Sequence, residues 1–340
     1  MDRAIIIAEA GVNHNGSMTL ATGLIDAAAE AGADYVKFQS FNTEKMTAKD
    51  APRAEYQKEE HDHPGGPSQY EFLKTVELTE AQHETLKKYA EKKEIKFLST
   101  PFDLASADLL DRLGVDYLKI PSGEITNKPL IEHIASKGRD VILSTGMSTL
   151  EEVGDAIEIL ENGGIAREQL TVLHCTTEYP APYDEVNLRA METIREAFDV
   201  RVGYSDHTPG IEVPVAAVAL GAVMVEKHFT LDRRLPGPDH RASLEPDELS
   251  EMVQAIRNVE KALGNPEKKP AQSEMKNRDV ARKSIHLARD IAEGSVITEN
   301  DLTMLRPGDG ISPMEIEDII GKKVVKNLQK GEKLKRSDLA

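Results

Sequence analysis

The chain has 340 residues, of which 39% are apolar, so it can bury one large core or one large and one small core. Its net charge of −17, from 59 acidic and 42 basic residues, disfavours nucleic acid or an anionic membrane as the main partner. A single cysteine, Cys175, excludes an internal disulfide, and the absence of a signal peptide and of a membrane-length apolar run leads us to expect a cytoplasmic protein.

Eight short β-type runs follow one another along the first two thirds of the chain. Each ends in polar residues or glycine and is followed by an amphipathic stretch of helix length; the runs begin at Ala4, Tyr35, Ile95, Tyr117, Val141, Leu170, Val200 and Ala222. Strands that alternate with helices form a parallel sheet, and eight is the number that closes into a barrel. The alternative is an open doubly wound sheet, but no GxGxxG follows the first run. The pattern therefore predicts an α/β fold, the (β/α)₈ TIM barrel.

One connection between a β-type run and the helix that follows it is unusually long. Residues 41–69 separate the second run from its helix, carry many charges and contain the sequence HDHPGGP. Loops of this length are usually lids over a site or disordered insertions, and the sequence leaves both open. His61 and His63 in this loop could bind a metal, but we favour solvent-exposed side chains, because charged loops often carry histidines.

The C-terminal part has a different character. We assign residues 1–265 to the barrel, 266–282 to a polar linker that contains two prolines, and 283–340 to a second domain. This domain contains a repeat, since LARDIAEGSVITENDL (287–302) aligns without a gap to VVKNLQKGEKLKRSDL (324–339). A repeat this short predicts a small, pseudo-symmetric, β-rich unit near the lower limit of independent stability. We expect this unit to pack against the barrel or against a partner subunit.

Two histidines end neighbouring runs. Active sites of such barrels form at the carboxyl ends of the strands, where His207 ends the seventh run and His228 ends the eighth. Either histidine alone is more often structural, but adjacent strands can bring both imidazoles onto one divalent metal. Asp239 and Glu226 are possible carboxylate support. Two firm ligands leave coordination positions open for water and a substrate oxygen, as Lewis-acid catalysis requires.

Two lysines lie inside apolar runs, where a charge must be paired. Lys37 and Lys119 either form salt bridges to a barrel carboxylate such as Glu9 or Glu124, or clamp an anion. Hydroxyls and backbone amides near the strand ends favour an anion site for phosphate or carboxylate; they belong to Ser99, Thr100, Ser122, Gly123, Ser144, Thr145, Gly146 and Ser205. Glu9 and Glu124 are also candidate catalytic acid/base groups.

A series of motifs resembles, in residues and in order, the sialic acid synthase family, which includes N-acetylneuraminate and legionaminic acid synthases. The motifs are AEAGVNHNG, VKFQSF, FLSTPFD, KIPSGEITN, ILSTGM, HCTTEYPAPY, GYSDHT, EKHFT and GPDH, followed by ARKSI and RPGDGISP. The tail resembles the family's antifreeze-like (SAF) domain. The resemblance implies a transferase that condenses phosphoenolpyruvate with N-acetylmannosamine or its 2,4-diacetamido-6-deoxy analogue. The products would be N-acetylneuraminate or legionaminate, and phosphate released by C–O cleavage.

The resemblance also implies the roles of individual residues. It assigns a divalent metal, usually manganese with magnesium or cobalt as alternatives, to His207 and His228, and the reacting water to Glu9. Phosphoenolpyruvate would contact Lys37, Thr100, Lys119, Ser122, Ser144, Thr177, Tyr179 and Ser205. The amino sugar would contact Gln39, Phe102, Tyr179 and Asp239, with Arg306 supplied by the other subunit of a domain-swapped homodimer. The sequence departs from some relatives at HPGGP before Ser68 and at Thr177–Glu178, and both departures bear on acceptor selectivity.

Two other functions fit parts of the pattern. A Schiff-base pyruvate aldolase would use Lys119 as a nucleophile and need no metal. A non-catalytic protein that binds sugar acids would display the tail domain, although the combination of metal, lysine and carboxylate candidates argues against it. Within the resembling family, the motifs FQSF, IPSGEITN and HCTTEYPAPY favour a legionaminic-type acceptor.

Overall fold

The computed structural model of the protein describes residues 3–52 and 68–340. The chain divides into two compact units, Met1–Gly264 and Asn265–Ala340. The middle of the long connection predicted at 41–69, with His61 and His63, lies outside the described residues. In the part that is described, every helix is too short or too polar to cross a membrane.

The first unit contains an eight-stranded parallel sheet. Its strands, β1 to β8, are Ile5–Gly11, Tyr35–Ser40, Lys96–Pro101, Tyr117–Ile120, Asp140–Ser144, Leu170–Cys175, Arg201–Asp206 and Met224–His228. The hydrogen-bonded order is β3-β2-β1-β8-β7-β6-β5-β4. Because β1 pairs with β8 and β3 lies beside β4, the sheet curls into a nearly closed barrel. The predicted (β/α)₈ barrel is confirmed, and each predicted run overlaps one strand.

Helices surround this sheet. They are α1 to α10, at Met18–Glu30, Thr43–Met46, Gln69–Val76, Glu80–Lys92, Leu104–Leu113, Lys128–Ala135, Leu150–Asn162, Ala190–Phe198, Glu212–Ala219 and Pro246–Leu263. Each long helix buries one face; α10, for example, buries Leu249, Met252, Val253 and Ile256, spaced three or four residues apart. The strands are covered on both faces, so most of their buried residues are apolar. Polar residues collect at their carboxyl ends, and a few strands also begin with an exposed or half-buried charged residue, such as Lys96 of β3.

The second unit is small and has its own apolar core, which includes Ile285, Leu287 and Ile297. Helix α11 spans Gln272–Ala281, inside the stretch predicted as a linker, and α12 spans Ile316–Ile319. Strands β9, Ser284–Leu287, and β10, Leu302–Leu305, form an antiparallel pair, and isolated bridges add further β pairing.

The sequence repeat appears in this unit as pseudo-two-fold symmetry. Backbone bonds recur at equivalent positions of the two copies: Leu287 N–H to Glu332 O matches Val324 N–H to Ser295 O, and Gly294 N–H to Val324 O matches Gly331 N–H to Leu287 O. Ile291 and Leu328, which are equivalent to each other, exchange two backbone hydrogen bonds and so lie across the pseudo-axis. The pseudo-symmetric unit expected from the repeat is therefore present.

Candidate active site

A cavity of about 370 Å³ opens at the carboxyl ends of the barrel strands. It brings together most of the residues that the sequence analysis selected, namely Glu9, Lys37, Gln39, Thr100, Phe102, Lys119, Ser122, Ser144, Thr177, Tyr179, Ser205, His207, His228 and Asp239. Four selected residues of the first unit are not part of its wall, namely Ser99, Thr145, Gly146 and Glu124. Glu124 accepts a hydrogen bond from Asn127 at 2.6 Å, and Arg306 belongs to the second unit.

Four buried charged side chains form the floor of this cavity. Lys37 Nζ lies 3.0 Å from Glu9 Oε2 and 3.3 Å from Glu226 Oε1. Lys119 Nζ lies 2.9 Å from Glu226 Oε2. The ion pair expected between Lys37 and Glu9 is therefore present, because β1 and β2 place these two residues opposite each other. Glu124 is not the second carboxylate; Glu226 takes that place and bridges both lysines.

Glu226, which the sequence suggested only as possible support for a metal, has a different environment in the structure. Its two oxygens face the two ammonium groups, and Ser205 Oγ also donates to Oε1 at 3.3 Å. Lys37 additionally donates to Thr100 Oγ1 at 2.8 Å. Only the register of β8 against its neighbours shows that Glu226 pairs with both lysines. From the sequence alone it is simply a polar residue two positions before His228.

Burial and neighbouring charges set the ionisation of this floor. Burial alone would raise the pKa of Glu226, but the charges of Lys119 and Lys37 outweigh it and hold that pKa well below its usual range. Burial lowers the pKa of Lys119 in spite of Glu226. Burial also raises the pKa of Glu9 to about 7, with Lys37 opposing the shift. Glu9 is thus the carboxyl group that can exchange a proton near neutral pH.

We predict that Glu9 makes the stability of the metal-free protein depend on pH. A carboxyl group of the unfolded chain ionises near pH 4.5, whereas folded Glu9 does so near pH 7, so the folded state alone keeps the proton between these values. Stability should therefore fall as pH rises through this window. In Glu9→Gln this part of the pH-dependent loss of stability should disappear, because the uncharged amide resembles the protonated carboxyl group at every pH.

Urea unfolding midpoints at pH 5 and pH 8, with chelator present, measure this effect. The matched control is Glu158→Gln, which removes an exposed carboxylate of α7. The control should follow the wild-type pH dependence. A Glu9→Gln protein that loses as much stability as the wild type between the two pH values would show that Glu9 is ionised throughout.

Hydroxyl groups beside the lysines add hydrogen-bond donors. Ser144 Oγ and Thr177 Oγ1 are buried, and neither has a hydrogen-bond partner within the described ranges. Gly146 N–H donates to Ser122 Oγ at 2.9 Å, and a Cβ at position 146 would lie 2.0 Å from Thr177 Oγ1. Glycine therefore permits this close packing of donors. Uncommitted donors next to two ammonium groups suit a phosphate or a carboxylate.

The two histidines lie together on the adjacent side of the cavity, with ring centroids 5.4 Å apart. The Nδ1 atom of His207 lies 2.7 Å from the carbonyl oxygen of Thr176, which can only accept, so Nδ1 carries the proton and Nε2 keeps a free lone pair. His228 Nδ1 is buried with no hydrogen-bond partner in the described chain, and Asp239 Oδ2 lies 3.9 Å away. Burial, with the nearby charge of His207, holds the pKa of His228 well below its ordinary value.

Nε2 of His207 and Nδ1 of His228 can each offer a lone pair to a divalent metal. Burial lowers the pKa of His207, but Cys175 and the carbonyl oxygen of Thr176 outweigh it and raise that pKa, so a bound metal would displace a proton from this ring. Residues 3–52 and 68–340 contain no group of three or more His, Cys, Asp or Glu side chains arranged to hold one. The two imidazoles would therefore be the main protein ligands, and most coordination positions would stay available to water and substrate oxygens.

One side of the cavity is apolar, which the sequence analysis missed. Val12, Met46, Phe72, Leu73 and Phe102 line it. Most of them belong to α2, α3 and the loops after β1 and β3, where they form a small hydrophobic cluster separate from the barrel core. The only sequence signal was the apolar spacing in QYEFLKTV. The cavity thus combines a charged floor, a histidine pair and an apolar wall.

Comparison with known proteins identifies the family. Residues 24–268 match the NeuB family and residues 282–340 match the SAF domain. The chain is 49% identical over 332 residues to the N,N'-diacetyllegionaminic acid synthase of Campylobacter jejuni, covering 98% of this chain and 99% of that protein. It is 50% identical over 328 residues to the synthase of the same name from Legionella pneumophila, covering 96% and 92%.

A solved structure supports the same assignment. The N-acetylneuraminic acid synthetase of Leptospira borgpetersenii superposes with a TM-score of 0.72 at 36% identity, covering 81% of this chain and 90% of that one. The predicted SAF domain is confirmed by the family match at 282–340. The chain therefore belongs to the NeuB family of sialic acid synthases.

Proposed function

We propose that this protein condenses phosphoenolpyruvate with 2,4-diacetamido-6-deoxymannose to give N,N'-diacetyllegionaminate and phosphate. The observation that carries the proposal is one cavity in which two buried lysines and free hydroxyl donors lie beside two histidines. Membership of a synthase family supports the reaction class, and the names of the Campylobacter jejuni and Legionella pneumophila relatives support this product. Its expected cytoplasmic location stays a prediction.

The lysine floor is the proposed site of the donor. Phosphoenolpyruvate carries a carboxylate and a phosphate, and Lys37 and Lys119 provide one buried cation for each. The remaining donors around it are Thr100, Ser122, Ser144, Thr177, Tyr179 and Ser205. Burial of the two lysines strengthens each of these charge-assisted bonds, and donors that are already in place cost no reorganisation during the reaction.

The histidine pair is the proposed metal site. Synthases of this family generally depend on a metal ion. We assign it to His207 and His228 and expect Mn²⁺, with Mg²⁺ and Co²⁺ as alternatives. When bound there, the metal acts as a Lewis acid that polarises the aldehyde oxygen of the open-chain acceptor.

The protein's own groups perform the remaining steps. Lys37 and Lys119 neutralise the donor while its enol carbon attacks the aldehyde. Glu9, with a pKa of about 7, accepts a proton from the water that adds to the second carbon of the donor. The former aldehyde oxygen, now an alkoxide, takes up the proton that Glu9 received. The tetrahedral carbon then expels phosphate by C–O cleavage, while its hydroxyl group passes its proton to the departing phosphate and becomes the ketone. Glu124 stays a candidate acid/base group from the sequence analysis.

The apolar wall is the feature that favours a 6-deoxy acceptor. A methyl group can pack against Phe72, Leu73 and Phe102, whereas a hydroxymethyl group there would lose hydrogen bonds to water. We propose that Gln39, Phe102, Tyr179 and Asp239 contact the acceptor. Arg306, supplied by the second subunit of a domain-swapped homodimer, completes the proposed set.

Mass spectrometry of the products tests this function. The protein, with Mn²⁺, is given phosphoenolpyruvate labelled with ¹⁸O in the bridging oxygen, and either 2,4-diacetamido-6-deoxymannose or N-acetylmannosamine. We expect kcat/KM to be roughly 10- to 100-fold higher for the first sugar, and we expect the label in the released phosphate.

Each alternative result has a distinct meaning. Equal use of the two sugars would contradict the assigned acceptor. Label retained in the sugar acid would contradict C–O cleavage. Failure to consume either sugar, in a folded and metal-loaded protein, would contradict the proposed reaction.

A further inference from the structure

A buried ion pair lies directly behind the two histidines. Asp206 and Lys227 have fully inaccessible side chains (0% exposed) and are opposite each other in the register of β7 and β8. They precede His207 and His228 in the sequence. Because side chains of a strand alternate between faces, the histidines point into the cavity and the ion pair lies on the outer face of the sheet.

Hydrogen bonds extend this pair into a closed ring. Asp206 Oδ1 accepts from Thr208 N–H at 3.1 Å and from Thr208 Oγ1 at 2.9 Å. Lys227 Nζ donates to both Asp206 and the carbonyl oxygen of Thr208. The ring therefore connects Asp206 and Thr208, which lie on either side of His207, to Lys227, the residue before His228.

The position of the ring suggests what it is for. The paired residues of β7 and β8 end at Asp206 and Lys227, so His207 and His228 lie just beyond the last pair of the ladder. At this point the ring connects the two strand ends directly. Stability alone does not require it, because an apolar pair of similar volume avoids the cost of desolvating two charges.

We propose that the Asp206–Lys227 ring sets the separation of His207 and His228 and thereby tunes the affinity of the site for its metal. Both are positioning residues, since neither reaches the cavity. The inference rests on the proposed metal role of the histidines. A metal held mainly by two imidazoles is sensitive to their spacing, because few other protein ligands compensate for a misplaced ring.

The test measures Mn²⁺ binding to metal-free protein by titration calorimetry and by the electron paramagnetic resonance spectrum of bound Mn²⁺. The principal variant is the double substitution Asp206→Asn with Lys227→Met, which removes both charges, preserves the net charge and leaves no unpaired ion. We expect the Kd for Mn²⁺ to rise roughly 10- to 100-fold, with a changed spectrum and near-wild-type circular dichroism.

A matched control removes another ion pair of the barrel. Asp34 and Arg257 are 2.7 Å apart, and Asp34 also accepts from the backbone at Ile6, near the amino end of β1. The double substitution Asp34→Asn with Arg257→Met should leave Mn²⁺ affinity and spectrum unchanged. Thr208→Val serves as a second, milder variant. It removes only the contacts of the Thr208 hydroxyl with Asp206 and should weaken Mn²⁺ binding to a smaller extent.

Two results would overturn the inference in distinguishable ways. Wild-type affinity and spectrum in the folded double variant and in Thr208→Val would show that the ring does not position the histidines. Absence of Mn²⁺ binding by the wild type, or unchanged binding by His207→Ala, would remove the metal site itself and the inference with it.

Discussion

Replacing His228 with alanine is expected to lower kcat by about 1,000-fold or more without unfolding the protein. Lewis-acid polarisation contributes several kcal/mol to such a reaction, and each 1.4 kcal/mol is worth a factor of ten in rate. His228 is buried, and its Nδ1 has no hydrogen-bond partner in the described residues, so its removal costs little internal bonding. Added Mn²⁺ should not restore turnover, because one imidazole cannot hold the ion in place.

The matched control is His174→Ala. His174 belongs to β6, is half-buried and bonds the carbonyl oxygen of Val186 at 2.6 Å, outside the charged cavity. This variant should keep most of its turnover. Turnover retained by a folded His228→Ala protein would contradict the metal-assisted reaction. Absence of turnover in the wild type under all conditions would instead favour the non-catalytic binding protein considered from the sequence.

The second large effect is expected at Lys119. In Lys119→Met, kcat/KM for phosphoenolpyruvate should fall about 100- to 1,000-fold, because a donor anion then enters a buried site with one cation fewer. Glu226 keeps Lys37 at 3.3 Å and the hydroxyl of Ser205, so the fold should survive. The acceptor KM, measured at saturating donor, should change much less.

Lys96→Met is the control for Lys119→Met. Lys96 is also on a barrel strand, but it is exposed and pairs with Asp116 at the other end of β3. Its replacement should leave both kinetic constants unchanged. Treatment with pyruvate and borohydride separates the two roles of Lys119. Mass added to Lys119, together with activity that a chelator does not affect, would establish the Schiff-base aldolase in place of the proposed synthase.

The barrel was predictable because its signals are local. Each strand is a short, largely apolar run with polar residues at its carboxyl end, as Ser144 and His228 show, and Lys37 inside β2 did not obscure this pattern. The site depended on information that is not local. Glu226 became the bridge between two lysines only through strand register, and Glu124 turned toward Asn127 through a short helical turn at Ser122–Glu124.

The second unit was likewise predictable only in part from its sequence. The repeat predicted its symmetry, because the two aligned segments make equivalent backbone hydrogen bonds at 287 and 324. Helix α11 gave no comparable signal. None of its residues is buried, so it lacks the apolar stripe by which a helix is recognised, and it follows Pro266 and Pro270 in a polar stretch.

Glu9 and Glu226 give the lysine floor counter-ions that are part of the protein. At the proposed donor site, binding would therefore be an exchange of anions, in which an external carboxylate and phosphate displace internal carboxylates from Lys37 and Lys119. The affinity for the donor would then reflect the difference between its contacts with the two lysines and the contacts that Glu9 and Glu226 make with them in the empty site. It would not reflect the full attraction of two unpaired cations. We expect a small inorganic anion that contacts one ammonium group to form a weaker interaction than the internal carboxylate contact that it displaces. We expect a donor that contacts both ammonium groups at once to bind better, so the floor should favour anions with two separated charges. The chain's net charge of −17 repels such anions at long range.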